Sequence, residues 1–265
     1  MARDQSGANA NSSYLSPASP RVLAHRGLAV GAPENTMLAF AKAVATGAQY
    51  IETDVHASLD GIAVVSHDPS LARVAGRDLK VDQLTLAELR RIDLGDGQGF
   101  CALSEALDAF PETRFNIDIK SRDAVSPTVC AIRDISATDR VLVTSFDEKR
   151  RAATVRELPG VASSASAGRF LVALLGAKTG ISPAMRRALN GLVAIQVPEK
   201  ALGLRVTTPR VIQRVHDLGL EMHVWTINEP QRMRHLLDLG VDGIVTDRAD
   251  LALEVVDSRA QPGSA

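Results

Sequence analysis

Residues 21–55, "RVLAHRGLAVGAPENTMLAFAKAVATGAQYIETDV", decide how the chain is to be read. An apolar run, "RVLAH", ends in a histidine and an arginine. Eight residues beyond the arginine, a Glu-Asn pair stands just before a segment with helical apolar spacing, and a second apolar run, "YIETDV", follows. Strand, helix, strand is the unit of a parallel sheet. Its polar residues fall where the strands end, so short strands deliver several polar groups to one place.

The same alternation continues outward. Six more apolar runs, "FNIDIK", "VLVTS", "VASSA", "LVAIQV", "MHVWTI" and "GIVTD", make eight in all, with helical segments such as "SPTVCAIRDI", "TPRVIQRVHDL" and "EPQRMRHLLDL" between them. Pro or Thr near the start and Gly past the end mark the helix limits. Eight units in a 265-residue chain predict one closed (β/α)8 barrel, with an open doubly wound sheet as the structural competitor. One run is left over. "IAVVSHD" follows "VHASLDG" too closely for a crossover helix, and Asp60-Gly61 signals a two-residue hairpin turn. Pairing Leu59 with Ile62 sets Asp54 opposite His67 and folds that histidine back onto the second strand. Residues 69–100 then form a small insertion, expected to leave the site open or under a small lid.

A net charge of −1 gives no basic footprint for nucleic acid or anionic membrane, so any anion must be held locally. The two cysteines, Cys101 and Cys130, lie in no metal or redox spacing and fit a reducing cytoplasm better than a disulfide framework. No run reaches transmembrane length. The polar residues 1–20 are expected to be a flexible leader and 258–265 a flexible tail, with the barrel domain spanning 21–257. Oligomeric state is not set by the sequence.

Side chains alternate along a strand, so Glu52 and Asp54 share a face, as do Asp118 and Lys120. Carboxylates inside a barrel are costly unless paired or bound to a cation. Two strands bringing them to their carboxyl ends make a hard, oxygen-rich site of the kind Mg2+ or Ca2+ prefers. Taken singly, each of these residues has an ordinary structural role: Asp118 and Lys120 as an ion pair, Glu34 and Asn35 as a helix-entry motif. Together, His25, Glu52, Asp54, Asp118, Lys120 and His67 converge on the face where barrel enzymes place their sites. A divalent ion, an arginine and a lysine suit phosphoryl oxygens, and two histidines can divide general acid and general base work near neutral pH. That is the equipment of a phosphodiesterase.

The motifs "AHRG", "PENT", "ETDV" and "VVSHDP", followed by "NIDIK", "VWTIN" and "GVDGIVTD", resemble the glycerophosphodiester phosphodiesterase family of phospholipase-C-like TIM barrels over residues 21–250. The resemblance implies that His25 and His67 are the acid/base pair, that Arg26 and Lys120 contact phosphate, and that Glu52, Asp54 and Asp118 ligate one divalent cation. It implies that Glu34 and Asn35 support the site and that Trp225 walls the substrate pocket; Trp225 also reads as barrel filling. One departure is Asp118, where the family commonly carries Glu, so the third ligand is one methylene shorter. The implied reaction is hydrolysis of a glycerophosphodiester to sn-glycerol 3-phosphate and an alcohol. Two rivals remain: a lysophospholipase D acting on lyso-lipids, and a non-catalytic phosphate-binding barrel. The apolar stretch 168–192 is the one candidate for a lipid-facing surface, and its ordinary reading is barrel helices between strands five and six.

Overall fold

The computed structural model describes residues 13–16, 18–180 and 182–260. Their strands are β1 (Arg21–His25), β2 (Tyr50–Ala57), β3 (Ala63–Val65), β4 (Arg114–Ile119), β5 (Val141–Thr144), β6 (Ala162–Ser163), β7 (Ala194–Val197), β8 (Lys200–Ala201), β9 (Leu204–Arg205), β10 (Glu221–Val224) and β11 (Gly243–Thr246). Eight of them pair in parallel in the order β6-β5-β4-β2-β1-β11-β10-β7, and the two ends meet through a parallel bridge between Ser164 and Ala194. The predicted eight-unit barrel is therefore closed, and all eight apolar runs are its staves. Helices begin where the sequence marks them: Thr36 and Thr208 accept hydrogen bonds from Ala39 N and Val211 N, and Pro209 and Pro230 open their helices.

Alternation along the staves sorts the interior into layers. Low in the barrel, Leu23, Tyr50, Leu142, Ala162, Ala194 and Val245 pack together. The buried His223 ring fills the space beside β11, where a Cβ on Gly243 would lie 2.6 Å from it. Polar groups occupy the upper layers, with His25 in register with Glu52, Glu52 with Asn116, and Asp54 with Asp118. The outer faces of the staves join the helices in a second, larger core.

Three expectations need correction. The hairpin register is shifted by one: Val55 pairs with Val65 and Ala57 with Ala63, so the Asp54 carbonyl accepts from Ser66 N rather than facing His67. The turn uses three residues because the Ser58 hydroxyl donates to Asp60 and accepts from Ile62 N, with Gly61 at φ 75°. His67 still reaches the mouth, since the chain leaves the ladder after Val65. The leader is not loose throughout. Ser13–Leu15 form a 3-10 turn beneath the barrel, where Tyr14 is fully buried edge-on against Tyr50. The Tyr50 hydroxyl donates to Tyr14 O, and Arg21, in bidentate contact with Glu221, donates to Leu15 O. At the other end the last helix runs Ala249–Ala260, three residues into the expected tail. The remaining leader and tail positions, 1–12, 17 and 261–265, lie outside the described residues.

Residues 69–100 make the expected small insertion. Short helices Ala72–Ala75 and Leu86–Leu89 close over Val64, Leu71, Val81, Ile92 and Phe100 in a separate small core. Among the described residues no helix is long and apolar enough to cross a membrane.

The Tyr14 ring fills space while its buried hydroxyl has no hydrogen-bond partner. Tyr14→Phe is therefore expected to leave stability near its starting value, whereas Tyr14→Ala should cost about 3–5 kcal/mol. Urea unfolding of both variants checks this; equal and small effects would show that the turn does not help to hold the barrel floor.

Candidate active site

A cavity of about 410 Å³ opens at the carboxyl ends of the staves, lined on one side by His25, Arg26, Glu52, Asp54, His67, Asn116, Asp118 and Lys120 and on the other by Phe146, Phe170, Pro198, Trp225 and Val245. Eight of the ten residues singled out from the sequence face this one space. Glu34 and Asn35 lie just behind it, bonded to Arg26 and Asp54 respectively.

The His-Arg turn is built from unusual backbone. Arg26 and Gly27 take φ of 56° and 85° in succession, and a Cβ on Gly27 would meet the Ala39 backbone at 2.7 Å. Glycine therefore lets the turn lie against the first helix, which aims Arg26 inward. Asn35 holds the turn from the other side: its N–H donates to Arg26 O, and its side chain donates to Asp54 Oδ2 and accepts from Thr53 Oγ1.

Asp54 and Asp118 are register neighbours on adjacent staves, and both are buried. Lys120 Nζ bridges them at 2.8 Å and 2.7 Å. Burial opposes ionisation of Asp54, but the Lys120 charge and hydrogen bond outweigh it and hold this carboxyl below its usual range. The other two acids go the opposite way. Burial, joined by the charge of Asp54, pushes the Glu52 carboxyl up to about 8, and burial also raises Asp118 despite Lys120. The protein's own cations thus leave two of three buried carboxylates inclined to keep a proton. Asp118 Oδ1 and Asn116 Oδ1 are buried without hydrogen-bond partners, and Arg26 Nε, 3.3 Å from Asp54 Oδ2, forms an ion pair without an aligned hydrogen bond.

The two histidines are each fixed by a carboxylate. His25 Nδ1 lies 2.6 Å from Asp247 Oδ1, and Asp247 is steadied by Asn228, whose side-chain amide donates to Asp247 Oδ2. Burial disfavours the His25 imidazolium, yet Asp247 and the nearby Glu52 prevail and raise its pKa above the usual value. His67 Nδ1 lies 2.6 Å from Asp68, while the His56 ring contacts the His67 carbonyl at 3.2 Å. Arg73, from the insertion, joins Asp68 to Glu34 and through it to Arg26.

Sequence reading missed Asp247, Asn228, Asn116, His56 and Arg73. Asp247 directly follows the last stave and Asn116 sits two residues before Asp118, so the rule that found the other residues applies to both. Asn228 lies within the quoted "VWTIN". Arg73 gives no local signal, since only the folding of the insertion brings it back to the mouth. Trp225 lines the cavity and also packs on the interior layer, with Phe146 edge-on at 6.1 Å, so both of its readings describe it.

The glycerophosphoryl diester phosphodiesterase family model matches residues 25–251. A Mycobacterium tuberculosis protein named "Probable glycerophosphodiester phosphodiesterase 2" is 42% identical over 241 residues, covering 90% of this chain and 91% of that one. A rat lysophospholipase D is 28% identical over 276 residues, covering 86% and 83% of the two chains. Among solved structures, an Oleispira antarctica phosphodiesterase in complex with the product sn-glycerol-3-phosphate superposes with a TM-score of 0.73 at 23% identity, over 90% of this chain and 97% of that one, a likeness of fold.

Because Asp247 raises the His25 pKa, the ring should hold its proton to higher pH than a free imidazole. In Asp247→Asn, burial dominates and the midpoint should fall. An NMR titration of the His25 ring reads this directly; an unmoved midpoint would show that Asp247 does not set the ring's charge.

Proposed function

The chain belongs to the glycerophosphoryl diester phosphodiesterase family, phosphoric diester hydrolases, and from that membership and the geometry of its mouth we propose that it hydrolyses glycerophosphodiesters to sn-glycerol 3-phosphate and an alcohol. The observation that carries this reading is the set of unpartnered buried atoms in one cavity. The free oxygens of Asp118 and Asn116 seek a cation or a hydroxyl donor, and the Arg26 guanidinium beside them offers N–H groups to a phosphoryl oxygen. The product complex of the Oleispira antarctica enzyme agrees with a site of this kind.

A divalent cation fits the donor chemistry. Glu52, Asp54 and Asp118 supply hard oxygens, one of them orphaned, and the Glu52 carboxyl is raised by burial and by the charge of Asp54 beside it. Among the described residues no three such side chains already stand as a metal cluster, and Lys120 occupies the space between two of them. These three carboxylates are the proposed ligands of one Mg2+ or Ca2+. When bound, the ion would neutralise charge on the phosphoryl oxygens.

The remaining work falls to the chain itself. Arg26 and Lys120 orient the phosphoryl group. One histidine takes the proton from the attacking oxygen, either water or the substrate's neighbouring glycerol hydroxyl, and the other protonates the departing alcohol. Asp247, which raises the His25 pKa, favours His25 for the donor role and leaves the base role to His67. The apolar wall of Phe146, Phe170 and Trp225 favours a second reading, a lysophospholipase D, which shares the chemistry and changes only the substrate. With ligand groups and histidines all present, the non-catalytic barrel is the weaker alternative. The two free thiols agree with the proposed cytoplasmic location.

His25→Ala and His67→Ala should each lower turnover of glycerophosphocholine by about 10²–10⁴-fold with unchanged thermal unfolding. Near-normal turnover in either variant would remove that residue from the acid/base pair. Equal turnover of lysophosphatidylcholine by the unaltered chain would move the assignment to the lyso-lipid reading.

A further inference from the structure

The connection between β6 and β7 carries two helices, Ala167–Thr179 and Ser182–Leu189, where barrel connections commonly carry one. They are the expected barrel helices, yet the first of them does not present an ordinary polar outer face. Its exposed positions Ala167, Gly168, Leu171, Val172, Leu175 and Thr179 carry no charge and recur at helical spacing. Leu171, Val172 and Leu175 are 37%, 46% and 49% exposed.

This helix stays at the mouth. Ala167 and Phe170 in its first turns line the active-site cavity, and Lys178 in its last turn donates to Arg205 O at 2.8 Å in the β8–β9 hairpin that follows β7. That hairpin adds Leu202, 76% exposed, and Leu204, and Phe146, whose carbonyl accepts from Ala167 N, stands exposed beside the helix's first turn. Within this segment basic residues predominate, and the nearby Glu148 is taken up by Arg151 and Arg169. Residues 167–205 contain six Lys or Arg and one acid, Glu199, in a chain whose net charge is −1. Arg186, Arg187, Lys200 and Arg205 are exposed, whereas Glu199 is held by Arg232.

We infer that this rim docks on an anionic lipid bilayer, with Leu171, Val172, Leu175 and Leu202 entering the headgroup boundary and the exposed Arg and Lys side chains meeting lipid phosphates. An apolar helical face flanked by cations is the pattern of an interfacial helix. A purely polyanionic partner would use the charges and leave the leucines unexplained. The cavity opens beside this surface, so substrate headgroups in or near the bilayer would meet the mouth directly. The rest of the acidic chain is repelled by the same lipids, which orients the rim toward them.

Co-sedimentation of the full chain with phosphatidylcholine vesicles, with and without phosphatidylglycerol, tests this without relying on turnover. Binding is expected to anionic vesicles alone, weakening with added salt. Leu171→Asp/Leu175→Asp and, separately, Lys200→Glu/Arg205→Glu should each reduce apparent vesicle affinity about tenfold or more. Both should leave thermal unfolding and turnover of soluble glycerophosphocholine unchanged, since neither pair lines the cavity. No sedimentation of the unaltered chain at low salt would overturn the inference. So would undiminished binding in the folded leucine variant, which would mark simple polyanion attraction. If the leucine variant fails to fold, undiminished binding in the lysine-arginine variant overturns it equally.

Discussion

Asp54 and Asp118 stand side by side on neighbouring parallel staves, out of water, and most of the barrel's mouth is arranged around that fact. Two like charges in such a place are costly unless cations and hydrogen bonds surround them. Lys120 bridges the pair, Arg26 Nε lies 3.3 Å from Asp54, and the Asn35 amide donates to it. The strained His-Arg turn, the helix entry after Asn35 and the tight packing of Gly27 on Ala39 follow from having to bring those partners in. What remains unbalanced is informative. Glu52 and Asp118 are still pushed toward their protonated forms, and one Asp118 oxygen has no partner. A site that satisfies only part of its own charge is organised for something that arrives from outside.

The mouth has two unlike halves. On one side the 69–100 insertion contributes Arg73, which links Asp68 to Glu34 and so couples the surroundings of His67 to those of Arg26. On the other side the 167–205 segment contributes Phe170 and Pro198 to an apolar wall. A phosphodiester has the same division, with a charged centre and a substituent of variable character. On the proposed reading the polar half would carry out the chemistry, and the apolar half is where headgroup or acyl preference would be set.

Much of this was legible in the chain itself. Staves buried on both faces read as short apolar runs, and polar residues that interrupt their carboxyl ends stand out because nothing structural calls for them there. His25, Glu52, Asp54, Asp118 and Lys120 are visible for that reason. The hairpin register was not legible, because hydrogen bonds of the Ser58 hydroxyl with Asp60 and Ile62 N choose a three-residue loop over the two-residue turn that Asp60-Gly61 suggests. Nor was the ordered turn at Tyr14, since one aromatic residue in a polar segment carries no periodicity. Arg73 and the Asn228–Asp247–His25 chain depend on contacts between distant parts of the sequence, which no local pattern encodes.

On the proposed reading, the buried carboxylates take up a cation that the reaction needs. The most direct measurement is release of glycerol 3-phosphate from glycerophosphocholine by EDTA-treated protein, with Mg2+, Ca2+, Mn2+ or Zn2+ restored one at a time, for the unaltered chain and for Asp54→Ala. Turnover that disappears with EDTA, returns with a divalent ion and stays absent in the variant is the predicted result. Turnover that persists in EDTA, or that Asp54→Ala retains, would contradict it.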